Sequence, residues 1–192
     1  MNQRRLVVGI SGASGTVYGL RLLERIKEHA PEIRTILVMS PAAARTMAIE
    51  TDFTPAQARA LADESYDYDD LAAPISSGSF QTLGMVVAPC SIKSLSEIAN
   101  CHGANLLARA ADVTLKEGRR LVLLVRETPL SRGHIALMAR AAENGAVILP
   151  PAPAFYTRPR TVDDLIDYIL GKTLDQFGVP HRLFTRWGEE GE

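Results

Sequence analysis

The sequence predicts an α/β protein: one Rossmann-like domain with a mainly parallel sheet and helices on both faces. Short apolar, β-branched runs alternate with amphipathic helical stretches along the chain, the pattern of repeated βα units. The first run, Leu6 to Ile10, breaks into Ser11-Gly12-Ala13-Ser14-Gly15, after which Val17, Leu20, Leu23 and Ile26 recur at helical spacing. With 192 residues, 46% apolar and 22% charged, the chain has the size and composition of a single globular domain over 1–192, and it shows no internal repeat.

The elements follow in order. Strand Leu6 to Ile10 leads into helix Thr16 to His29. Ile33 to Met39 reads as a buried second strand, and Ser40-Pro41 as an N-cap with proline at the first helical position, opening a helix that ends near Glu50. Thr54-Pro55-Ala56-Gln57 is a capping box for a short helix to about Glu64. Tyr66 to Asp70 is a polar surface connection, and Ser76 to Ser79 a small loop, with Phe80 as a lid or contact residue. Gly84 to Ala88 is a core strand that Pro89 stops. Ser91 caps a helix through Ile98, a further helix runs from Asn105 to Lys116, and Leu121 to Val125 is another strand. A helix over Ile135 to Glu143, a short strand from Ala146 to Leu149, the proline-rich linker Pro150 to Tyr156 and a closing helix from Val162 to Phe177 complete the chain.

The opening strand–turn–helix is the arrangement that brings backbone N–H groups and a helix N-terminus to a phosphate, with Ser11 or Ser14 adding a hydroxyl. Gly9, Gly12 and Gly15 space as G-x-x-G-x-x-G, not as the dinucleotide pattern, and no Lys follows Gly15 as a triphosphate loop requires. The second strand ends in Ser40-Pro41, where a dinucleotide fold places an acid for the ribose. A monophosphate such as FMN fits better than NAD. The plainer reading is that any βα turn in such a fold is glycine-rich.

Composition narrows the partners. A formal net charge of −1 with no basic block argues against nucleic acid. Runs such as Leu121 to Val125 are far short of a bilayer span, and Met1 to Arg5 leads straight into a strand without room for a signal peptide. Cys90 and Cys101 make no disulfide framework, so a cytoplasmic protein is expected.

Ligands of open parallel sheets sit beyond the carboxyl ends of the strands. Those positions are Ser11 to Ser14, Ser40, Cys90 to Ser94 and Arg126-Glu127: mostly hydroxyls with one charged pair, suited to a polar ring and a phosphate. His29, His102, His134 and His181 are scattered without ligand spacing, so no metal is expected. Glu127 reads as an acid/base group or as one half of a strand-end ion pair. Cys90 reads as a nucleophile or a buried core residue. Glu50, Lys116 and Tyr156, taken singly, read as surface or packing residues.

Assembled, these stretches resemble the UbiX-like flavin prenyltransferases, a flavoprotein family, over nearly the whole chain. The motifs are Gly12-Ala13-Ser14-Gly15, Met47-Ala48-Ile49-Glu50-Thr51, Gly84-Met85-Val86-Val87-Ala88-Pro89-Cys90-Ser91, Arg109-Ala110-Ala111-Asp112-Val113, Leu115-Lys116-Glu117, Arg126-Glu127-Thr128-Pro129-Leu130, Pro153-Ala154-Phe155-Tyr156 and Arg186-Trp187. Ile75 to Phe80 and Leu174 to Gly178 are most similar to the branch paired with hydroxyarylic acid decarboxylases. The resemblance implies transfer of the prenyl group of dimethylallyl monophosphate to nitrogen 5 and carbon 6 of reduced FMN, without metal. The product, prenylated FMN, would serve a UbiD-type decarboxylase. It places FMN on Gly12, Ala13, Ser14, Ser40, Ser91, Ile92, Lys93, Ser94 and Arg126. It places the prenyl phosphate substrate on Lys116, Tyr156, Lys172, Arg109 and Trp187, counts Ser14 and Lys116 as catalytic, and gives proton handling to Glu50 and Glu127. It also implies a homo-oligomer of dodecamer size with sites shared between subunits, the segment 161–192 packing on neighbours. Lys172 stands where the family carries Arg, and a lysine cannot fork onto a phosphate. Related FMN-dependent cysteine decarboxylases and a non-catalytic flavin carrier are the competing readings.

Overall fold

The structure is a computed structural model that describes residues 4–188; the ends of the expected domain, 1–3 and 189–192, lie outside it. Six strands form one sheet: β1 (Arg5–Ile10), β2 (Arg34–Met39), β3 (Glu64–Tyr66), β4 (Gly84–Cys90), β5 (Arg120–Val125) and β6 (Val147–Ile148). Their order is β3-β2-β1-β4-β5-β6 and every pairing is parallel. The helices are α1 (Thr16–His29), α2 (Pro41–Glu50), α3 (Pro55–Leu61), α4 (Ile92–Ala99), α5 (Leu106–Lys116), α6 (Arg132–Glu143) and α7 (Val162–Asp175). Strand order reverses between β1 and β4, so the connections leave these neighbours in opposite directions and open a crevice at their carboxyl ends.

Two apolar layers flank the sheet. One packs α1, α2, α3 and α7 on it through residues such as Leu20, Leu23, Met47, Ile166 and Leu170. The other packs α4, α5 and α6 through Leu95, Leu107, Ala111 and Ala141. Leu22, Leu23 and Ile26 of α1 are fully buried, each stabilising the fold by about 1.5–3 kcal/mol. Arg21 and Arg25 of α1 share Asp167 of α7, the latter at 2.8 Å, fixing the angle between these helices. Thus α7 packs on its own subunit through Ile166, Ile169, Leu170 and Leu174, while Val162 stays 70% exposed.

The structure departs from the expected elements at several places and decides between the two readings of Phe80. The helix expected to reach Glu64 ends at Leu61, because the Asp63 carboxylate turns back to accept the Thr35 N–H at 2.8 Å and delivers Glu64–Tyr66 to the sheet edge as β3. Pro89 does not stop β4; a register shift between Val87 and Cys90 carries the strand past the missing N–H. Helix α6 starts at Arg132, earlier than Ile135, because Ser131 and His134 form a reciprocal capping box. Phe80 is a contact residue: it packs on the second core with the Arg5 guanidinium 4.8 Å from its ring.

Candidate active site

The crevice is built where β1 and β4 end. Ser11, fully buried, holds the two ends together: its hydroxyl donates to the Pro89 carbonyl at 2.9 Å and accepts the Ser91 N–H at 2.7 Å. Of the two hydroxyls expected to serve a phosphate, that of Ser11 is therefore spent inside the fold, and Ser14 is the one on the cleft wall.

Gly15 caps α1 with φ 95°, a left-handed conformation that favours glycine. Glu50, the last residue of α2, takes the donors this turn exposes. Its carboxylate accepts the Gly15 N–H at 2.9 Å, the Thr16 N–H at 3.1 Å and the Thr16 hydroxyl at 3.0 Å. Partial burial pushes the Glu50 carboxyl up. Hydrogen bonds from Ser14, Thr16 and Gly15 outweigh that and hold it below the usual range. The anion at the α1 N-terminus is thus the chain's own carboxylate, which takes two of the N–H groups that this turn offers.

The other serines act as caps. Ser40 accepts the Ala43 N–H at 3.1 Å and Ser91 the Ser94 N–H at 3.3 Å, with the Ser91 hydroxyl donating to that of Ser94. Ile92 is half-buried on the second core, and the exposed Lys93 reaches Glu97 at 3.8 Å. Cys90 is fully buried and burial pushes its thiol well up, so it is a core residue and not a nucleophile.

A cleft of about 550 Å³ opens beside this turn, lined by Ser14, Tyr18, Arg126, Glu127, Pro151 and Ile166 among others. Burial raises the Tyr18 hydroxyl pKa, and the Arg126 charge pulls it back. Glu127 accepts the N–H of Thr128 at 3.0 Å and is otherwise open to the cleft.

Two further groups lie apart from it. Tyr156 meets Trp187 edge-on at 5.2 Å between centroids, and the charge of Lys172 acts on the Tyr156 hydroxyl. Lys172 itself pairs with Asp175 at 3.8 Å, ten positions along α7 from Val162 on the cleft rim, or roughly 15 Å of helix. Lys116 ends α5, where the chain enters β5 at its amino end, so about 20 Å of strand separates it from Arg126. Lys116 pairs there with Glu117, and Arg109 bonds Asp112 and the Ser76 carbonyl.

The Flavoprotein family model matches residues 1–173. The flavin prenyltransferase UbiX of Escherichia coli K12 is 58% identical over 186 residues, 96% of this chain and 98% of that protein. The chain belongs to the UbiX flavin prenyltransferase family. Two solved structures of this family agree in fold. AnUbiX (PadA1), in complex with FMN and dimethylallyl pyrophosphate, has a TM-score of 0.95 at 45% identity, covering 98% of this chain and 100% of that one. A dodecameric FMN-dependent UbiX-like decarboxylase from Escherichia coli O157:H7 has a TM-score of 0.93 at 46% identity, covering 96% and 100%.

In this family member a single chain gathers Ser14, Arg126 and Glu127 on one cleft and hangs Glu50 on the same turn. It groups Tyr156, Lys172 and Trp187 beside α7, and leaves Lys116 at the amino end of β5 with Arg109 two turns earlier on α5. Residue-by-residue reading missed Tyr18, which faces the cleft three residues after Gly15. An aromatic in the first turn of that helix was the available signal.

Proposed function

We propose that the protein transfers the dimethylallyl group of dimethylallyl monophosphate to nitrogen 5 and carbon 6 of reduced FMN, making prenylated FMN for a UbiD-type decarboxylase. The observation that carries this reading is the cleft at the β1/β4 switch point, where Arg126 and Glu127 stand opposite Ser14. Its volume of about 550 Å³ and mixed lining suit a flavin mononucleotide. Ser14 and Arg126 on the cleft wall would hold it, with Gly12, Ala13, Ser40, Ser91, Ile92, Lys93 and Ser94 assigned to it from the neighbouring strand ends. When bound, reduced FMN supplies the electron-rich ring that meets the allylic carbon.

The chain's own residues do the rest. Departure of phosphate from an allylic carbon leaves negative charge on oxygen, which Lys116, Lys172 and the Tyr156 hydroxyl neutralise. Glu50 orients the Ser14–Gly15 turn through its hydrogen bonds and is the second acid assigned to proton handling. Glu127, with one neighbouring N–H and an open face, takes a proton at its carboxylate. Arg109 and the exposed Trp187 would line the prenyl side.

Lys116 cannot reach the cleft of its own chain, so a site that uses it is shared between subunits. The dodecamer formed by the Escherichia coli O157:H7 relative is the assembly we expect, with the exposed residues of segment 161–192 meeting neighbours. No helix among the described residues is long and apolar enough to cross a membrane, and we place the protein in the cytoplasm.

The test is anaerobic. The protein is mixed with reduced FMN and dimethylallyl monophosphate, and in parallel with the pyrophosphate, in metal-free buffer, and the released flavin is weighed. A flavin heavier by one five-carbon unit with the monophosphate supports the proposal. A gain with the pyrophosphate alone reassigns the donor, and an unmodified flavin in both arms overturns the transferase reading.

A further inference from the structure

We propose that Arg119 is a positioning residue for Lys116. The inference rests on the prenyl-phosphate role given to Lys116 above, and it concerns how that lysine is held at the amino edge of the sheet.

Arg119 follows α5 and spreads its guanidinium onto the loop before β4. Nη2 donates to the Gly78 carbonyl at 2.6 Å and Nη1 to the Phe80 carbonyl at 2.8 Å. Arg109 adds a third tie, from Nε to the Ser76 carbonyl at 3.2 Å. Alternate carbonyls of one short loop are thus held by two arginines, and the hydroxyls of the intervening Ser77 and Ser79 bond each other at 2.9 Å. A planar fork with two N–H groups fixes both position and direction of such a loop, which a lysine in its place would not.

The loop is the floor beneath Lys116. A Cβ at Gly78 would fall 2.0 Å from Glu117 Oε1 and 2.8 Å from Lys116 Nζ, so the backbone of Gly78 lies directly against that ion pair. Arg119 therefore acts at one remove: it sets Gly78, and Gly78 sets where Lys116 and Glu117 meet. A displaced Gly78 would let the Lys116 ammonium swing on its flexible stem, away from the place where it is presented to a phosphate. Arg119 itself is turned to the loop carbonyls.

The test pairs a spectroscopic reading with a kinetic one. The chain contains four lysines, Lys27, Lys93, Lys116 and Lys172. Reductive ¹³C-methylation of the assembled protein gives dimethylamine signals from these four lysines and from the N-terminal amine, Lys116 being assigned by its loss in Lys116→Arg. Arg119→Lys adds one signal of its own, so Lys116 is assigned in that background by Lys116→Arg as well; its signal should move or broaden while those of Lys27, Lys93, Lys172 and the N-terminal amine stay. In unmethylated protein the KM for dimethylallyl monophosphate should rise about tenfold, the size of a lost charge-assisted hydrogen bond, with FMN affinity unchanged. In a Lys116→Met background Arg119→Lys should add nothing further.

A folded Arg119→Lys protein with an unmoved Lys116 signal, or an effect that persists undiminished in Lys116→Met, overturns the proposal. If Arg119→Lys does not fold, Arg119→Gln, which keeps a side-chain N–H donor but not the fork, must shift the same signal, and an unmoved signal there overturns the proposal. The methyl signals do not depend on catalysis. A wild-type protein that fails to prenylate FMN would thus sink the functional reading while leaving the positioning of Lys116 decided by the spectrum.

Discussion

Glu50 and Thr16, 34 residues apart in sequence, meet through two hydrogen bonds to one carboxylate oxygen: from the Thr16 N–H at 3.1 Å and from its hydroxyl at 3.0 Å. The end of α2 thereby closes the beginning of α1. Glu50→Gln should keep the shape but lose the negative charge at a helix N-terminus, costing on the order of 1 kcal/mol at neutral pH once its solvent exposure is allowed for. The folded-state carboxyl is held below its usual range. Its stabilisation is therefore complete above the ordinary glutamate pKa and disappears as pH falls through the depressed value. Urea unfolding of both proteins, at one protomer concentration, should show a gap at pH about 7 that closes in acid below about pH 4. A constant gap would mean that the charge contributes nothing.

The proton-handling role is tested at Glu127. Glu127→Gln keeps a similar shape and its place on the cleft wall, so FMN should bind as before. Turnover should fall by about a hundredfold or more, the usual weight of a positioned acid/base group. Anaerobic single-turnover kinetics beside an FMN titration separate the two effects. Unchanged turnover would move the proton to another group on the same cleft.

Much of this site was legible because its determinants are local. The capping box at Thr54 and Gln57, the Ser40-Pro41 start and the small-residue turn at 11–15 each lie within a few residues, and each stands where the sequence puts it. What was not legible depends on partners far along the chain. Asp63 finds Thr35 across 28 positions, so the expected helix ends early and a strand follows it. Ser11 finds Ser91 across 80, which hides a hydroxyl that local pattern offers to a phosphate. Arg119 finds Gly78 across 41, and its role is invisible without the loop in place. Lys116 shows the same limit at a larger scale: its helix ends were readable, but the end of the sheet it occupies follows only from the course of α5 into β5.

Asp175 should govern the group around Tyr156. Its carboxylate accepts from Arg186 at 2.7 Å, meets His181 at 3.1 Å and pairs with Lys172 at 3.8 Å. Burial pushes its carboxyl up, but Arg186 and His181 more than offset this and hold it low. Asp175→Asn should destabilise the chain by about 1–3 kcal/mol and free the segment that carries Trp187. Trp187 is the only tryptophan, so its emission reports this directly. In the wild type the anchor is intact above the ordinary aspartate pKa and lost as pH falls through the depressed value. The emission should shift over that acid range, and Asp175→Asn should start from the shifted value. Identical spectra at all pH values would detach Trp187 from Asp175.

The turn itself can be tested by one methyl group. A Cβ placed on Gly12 would lie 2.4 Å from the Ala42 Cβ and 3.2 Å from the Ala42 carbonyl carbon, so Gly12→Ala must push the turn away from α2. Overpacking of this kind costs about 1–3 kcal/mol, and here the displaced atoms are the Gly12–Ser14 segment expected to carry FMN. Weaker FMN binding should accompany the loss of stability. Ala42→Gly removes the nearest colliding atom at a cost of up to about 1 kcal/mol as a glycine within a helix. The double variant should then bind FMN more tightly than Gly12→Ala alone, an interaction energy that non-contacting sites do not show. Fluorescence titration of FMN across the four proteins measures it. Simple additivity would mean that the turn yields without disturbing the flavin, and that Gly12 is there for the approach of α2 alone.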